Sequence, residues 1–132
     1  MAQRGRKSAA SLAVVTTLPG QRAEPPRELT KAQAEVWRAV VSTKPADWFT
    51  EDTHPLLAAY CRHVVTATVL ARQIDGFNPD WLADEDGLKR YEKLLAMRER
   101  ETRAMTALAR SMRLTQQSRY KAETAATKAS SV

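Results

Sequence analysis

The sequence predicts an all-α protein. A short helix, a buried helix and a long heptad-patterned helix form a helical hairpin-type body, with flexible basic N- and C-terminal tails. Three observations predict it. Apolar residues recur at spacings of three and four along three successive segments of the 132-residue chain. Helix breakers fall between those segments, at Pro45 and at Gly76, Asn78 and Pro79. The positive charge sits at the ends: residues 1–27 hold five bases and one acid, residues 113–132 four and one, and the middle twelve and thirteen. A near-neutral body with two basic ends suits a chain whose ends touch a polyanion while its middle folds or assembles.

Residues 1–29 hold Gly5, Pro19, Gly20 and the Pro25-Pro26 pair and sustain neither period, which reads as a flexible basic arm. Its "RGRKSAASLAVV" imitates a secretory signal, but the apolar core from Ala9 to Val15 is short and broken by Ser11. The lack of acids before Glu24 imitates an organelle presequence, and the arm reading is preferred to both. The body, residues 30–112, opens with "TKAQAEVWRAVVS". Thr30 and Gln33 have capping-box spacing, Val36, Trp37, Val40 and Val41 make one apolar face, and Pro45 stops a helix over 31–43. In the connector "KPADWFTED", Trp48 and Phe49 are expected to plug the core.

Asp52 or Thr53 can cap the second helix, with Pro55 tolerated in its first turn. Leu56, Leu57, Tyr60, Val64, Ala67, Ala71 and Ile74 give it a wide apolar stripe, so it is expected to be the most buried element. The third helix, from about Asp86, carries Leu88, Tyr91, Leu95, Arg98, Thr102, Met105, Ala109 and Met112 in heptad spacing. A second set, Leu94, Met97, Ala104 and Leu108, lies beside it, and Glu99 and Arg103 form a favourable ion pair four residues apart. Helix two can cover the first stripe. Two shorter helices cannot easily cover both along roughly 37 Å, so the second stripe is assigned to another copy of the chain. Candidate self-association residues are Leu88, Tyr91, Leu94, Leu95, Met97, Met105, Leu108 and Met112. Residues 113–132 form a basic C-terminal segment and tail.

No constellation for catalysis, cofactor or metal emerges, so none is expected. His54, Cys61 and His63 match no four-member zinc spacing, and the glycines at 5, 20, 76 and 87 form no phosphate-binding loop. Asp84, Glu85 and Asp86 sit where a helix begins and suit its dipole. The single cysteine excludes an internal disulfide and fits a reducing cytosol. No apolar run approaches the roughly 20 residues that cross a bilayer. Candidate DNA contacts are Arg4, Arg6, Lys7, Arg22 and Arg27 at one end and Arg113, Arg119 and Lys121 at the other.

Taken in order, the "RGRK" arm, the Pro-rich "PGQRAEPP", the Trp-centred "AEVWRAV", "LLAAYCRH" and a long charged helix ending in "LTQQSR" resemble a known family. They look like the small terminase subunits of tailed double-stranded-DNA phages and prophages. The resemblance covers about residues 4–120. Leu114, Thr115, Ser118 and Arg119 match the family's Leu-Thr-Pro-x-Ser-Arg, whereas Gln116 replaces the usual proline and does not force the break that proline would. Thr115 is nevertheless expected to stop the long helix and cap a short new turn. The resemblance implies a non-enzymatic, ring-like homo-oligomer that recognises double-stranded viral DNA. It would hand that DNA to a large terminase subunit, the ATPase and nuclease, for packaging into procapsids in the cytoplasm of an infected or lysogenic bacterial host. The alternatives are another helical DNA-binding regulator, or an oligomeric adaptor that does not bind DNA.

Overall fold

A computed structural model describes residues 20–116 of the chain. Among them run three helices: α1 (Lys31–Ser42), α2 (His54–Asp75) and α3 (Glu85–Ser111), with short 3-10 turns at Glu51–Thr53 and Pro79–Ala83. No strand occurs among the described residues, and the fold is all-α.

α1 begins where its own side chains satisfy its free amides. The Thr30 hydroxyl accepts from the Gln33 N–H at 3.3 Å, and Gln33 Oε1 accepts from the Thr30 N–H at 3.0 Å. Ala34, Trp37 and Val41 then face inward at spacings of three and four. The preceding segment is bound to this helix. Trp37 Nε1 donates to the Ala23 carbonyl at 2.9 Å, and Leu29 is buried. The packed body therefore reaches back to Arg22, past the arm boundary expected at residue 29. Side-chain-to-backbone hydrogen bonds make that attachment, and no sequence period announces them.

α2 lies between α1 and α3 and packs on both. Its start differs from expectation: the Thr53 hydroxyl does not cap it but donates to the Thr50 carbonyl at 2.7 Å, while the Thr50 hydroxyl is bonded to Asp52. Leu57, Ala58 and Cys61 join Trp37 in the main cluster, which Leu29, Phe49 and Met112 complete. Trp48, half-buried on that cluster, donates its Nε1 to the Met112 carbonyl at 2.9 Å and ties the α1–α2 connector to the end of α3. The core is thus concentrated at one end of the α2–α3 hairpin. At the other end Phe77 packs edge-on against Trp81, with ring centres 5.1 Å apart, and tilted against Tyr91 at 5.0 Å.

α3 spans 27 residues, about 40 Å, yet its one buried residue is Gly87. The helix stops earlier than Thr115. Arg113 adopts φ 58°, the Arg113 N–H donates to the Arg110 carbonyl at 3.1 Å, and the Leu114 N–H donates to the Ala109 carbonyl at 2.8 Å. That pair of bonds around a left-handed residue is a Schellman turn. It lets Leu114 fold back onto the core cluster, against which Leu108 also packs.

Candidate functional site

Five of the candidate DNA contacts, Arg4, Arg6, Lys7, Arg119 and Lys121, lie outside the described residues. The other three, Arg22, Arg27 and Arg113, lie among the described residues. Arg22 donates Nε to the Val41 carbonyl at 3.1 Å and Nη2 to the Lys44 carbonyl at 3.2 Å, so its guanidinium caps the C-terminal end of α1. Arg27 is exposed, and Arg113 is displayed on the turn that ends α3.

The candidate self-association residues divide by position along α3. Met112 is buried in the main cluster and Leu108 packs against it, so both serve the chain's own core. Tyr91, Leu94, Leu95 and Met105 are half-buried. Leu88 and Met97 are exposed, at 44% and 38%, although Leu88 belongs to the seam expected to be covered by α2. The reason is geometric. At 3.6 residues per turn a strict heptad drifts by about 20° per repeat on a straight helix, so a seam covered at the C-terminal end of α3 is uncovered at its start. Trp81, Leu82 and Val69 add exposed apolar surface toward the same hairpin end.

Two surface features were not anticipated. A groove of about 580 Å³ at the hairpin tip brings Arg72, Arg90 and Lys93 around Trp81, Leu94 and Met97. The Arg90 guanidinium lies over the Trp81 ring, 5.6 Å from its centroid. No acid lines this groove. The signal was present in the sequence, because Arg90, Lys93, Met97 and Arg100 recur at 3, 4 and 3, but summing charge over the whole body hid it. A second, apolar groove of about 350 Å³ lies between α1 and α2, where Val40, Tyr60, Val64 and Leu114 meet.

Among the described residues no group of three or more His, Cys, Asp or Glu side chains could hold a metal ion. His63 Nδ1 meets Glu101 Oε2 at 2.5 Å and so joins α2 to α3. Cys61 is fully buried, and loss of solvation pushes its thiol up to about 11, which leaves it protonated and unreactive near neutrality. No helix among the described residues is long and apolar enough to cross a membrane. Comparison with protein-family models, with curated proteins and with solved structures returns no match to this chain.

Proposed function

We propose that this protein is a DNA-recognising packaging subunit of the small-terminase kind. It assembles with copies of itself into a ring, gathers double-stranded viral DNA through its basic ends, and delivers that DNA to a separate large subunit in the bacterial cytoplasm. It performs no chemistry of its own. The observation that carries this reading is α3, a 27-residue amphipathic helix with one buried residue and exposed Leu88 and Met97. A helix that leaves large apolar side chains uncovered on both flanks is suited to a partner. The order of motifs from "RGRK" to "LTQQSR" supports the choice of family. Ring assembly also answers the weakness of a single three-cation arm, since linked arms act at high effective concentration.

The test pairs native mass measurement with duplex-DNA binding across a salt series. Self-association beyond a dimer is expected, with log affinity falling linearly against log salt. Removing residues 2–19, which include Arg4, Arg6 and Lys7, should lower that slope by about 3 per chain engaged. A protein that remains a single chain at high concentration, or that ignores duplex DNA at low salt, overturns the reading.

A further inference from the structure

The groove at the hairpin tip joins cations and flat apolar surface within one chain. Arg72 comes to it from α2, and Arg90 and Lys93 from α3. All three are exposed, and none is in an ion pair with a described residue. No acid lines the groove, although two lie on the same side of α3. Asp86 precedes Arg90 by one turn without an ion pair to any described residue, and Glu101, further along, is engaged by His63. Among the cations Trp81 is 46% exposed, with the Arg90 guanidinium over its ring. Indole rings and guanidinium planes are the surfaces on which unstacked nucleobases lie, and cations beside them hold the phosphates. At about 580 Å³ the groove has the size of a small-molecule site, roughly 300–1,000 Å³.

We propose that this groove binds an unpaired strand of nucleic acid, with phosphates on Arg72, Arg90 and Lys93 and a base against Trp81. The site goes beyond the DNA contacts assigned to the basic ends. It is complete in one chain, so it does not rest on self-association. Two other polyanions match it less well. Duplex DNA keeps its bases stacked inside and presents phosphates to the cations, which leaves Trp81, Leu94 and Met97 without a partner. Acidic side chains of a protein satisfy the cations but have no flat face to lie on the indole. Asp86 sets the direction of the strand. Its carboxylate repels a phosphate at the start of α3, so the strand runs from Arg90 past Met97 toward Arg100, which is also exposed. Leu88 and Met97 stand two and a half turns apart on α3 and face opposite flanks. Copies that meet through Leu88 therefore leave the groove open.

Trp81 reports its own occupancy, because Trp37 is buried and Trp48 half-buried. The full chain, titrated at low salt with a short oligothymidylate, should lose tryptophan emission as a base stacks. Inorganic polyphosphate should not cause that loss. An oligouridylate arm tells a DNA source from an RNA one, and emission loss with either supports the proposal. In Trp81→Phe, which keeps a ring against Phe77, the emission loss should vanish. Arg90→Gln/Lys93→Gln should weaken binding tenfold or more and lower the salt slope by about 1.4. The charge-matched Lys31→Gln/Arg38→Gln, at exposed positions on α1, should stay within about twofold of the parent, with helicity by circular dichroism unchanged in every variant. Asp86→Asn should tighten binding, whereas Glu35→Gln on α1 should not. Four results overturn the proposal: binding with no loss of emission, equal loss of affinity in the two double variants, equal quenching by a blunt duplex, or equally tight binding of polyglutamate in the groove. The last would assign the groove to an acidic protein segment. A protein that remains a single chain yet shows the Trp81 signal overturns the ring and leaves this site standing.

Discussion

Arg113 holds φ 58°, a backbone conformation that crowds any side chain bearing a Cβ. The arginine stays there because the two Schellman bonds and the packing of Leu114 on the core cluster require the turn. Glycine would adopt the same backbone without strain, although it gives up more freedom on folding. The strain relieved, roughly 1–2 kcal/mol, outweighs the entropy lost, about 0.5–1 kcal/mol. Arg113→Gly is therefore expected to stabilise the chain by up to about 1 kcal/mol. Thermal unfolding at fixed protein concentration measures it, as an increase in Tm of a few degrees. A variant that melts at or below the parent would mean that the left-handed turn is not the solution conformation. The same residue offers a cation at the end of α3, so Arg113→Lys separates the effects: it keeps the charge and should leave the Tm nearly unchanged.

The short connection between α2 and α3 depends on a missing side chain. A Cβ built on Gly87 would lie 1.9 Å from the Trp81 carbonyl oxygen, and that oxygen belongs to the backbone of the Pro79–Ala83 turn. Alanine is the better helix former by about 1 kcal/mol. The clash is larger, because relieving it means moving the turn that holds Trp81 against Phe77. Gly87→Ala should destabilise by about 1–3 kcal/mol, read as a lower denaturant midpoint at unchanged slope. A neutral or stabilising result would show that the turn shifts freely. This element also separates what the sequence made legible from what it did not. Spacings of three and four placed all three helices, and the Thr30–Gln33 box placed the start of α1, because both signals are local. The tip was not legible, since Phe77, Trp81 and Tyr91 meet only after the Asn78 side chain accepts from the Asp80 N–H at 3.0 Å and turns the chain. Arg22 escaped for a similar reason: a cation in a Pro-rich stretch looks identical whether it reaches solvent or the carbonyls of Val41 and Lys44. The basic side of α3 was written in its 3-4-3 spacing, but it becomes visible once the direction of α2 is known.

For the described body as a whole, the decisive feature is that its core is off-centre. Trp37, Leu57 and Cys61, the fully buried side chains, cluster where α1, the connector and the end of α3 converge. Toward the tip α2 and α3 have no third layer among the described residues, and Leu70 and Ile74 are the buried apolar side chains of that half. Local stability follows buried apolar contact, so backbone amides of one chain should open unequally. In dilute protein, where single chains prevail, hydrogen exchange of backbone amides is expected to be slow over residues 34–61 and 104–112 and faster over 66–97. When the concentration rises enough for copies to assemble, protection should grow chiefly in 66–97, where Leu88 and Met97 are exposed. The change has a definite sign, because covering those side chains adds to the stability of the assembled state and leaves the already buried end unchanged. Uniform exchange along α3 in dilute protein would mean that the hairpin needs no neighbour. A gain in protection confined to the Trp37 end would place the contact between copies on the α1 side, at the groove formed by Val40, Tyr60 and Val64.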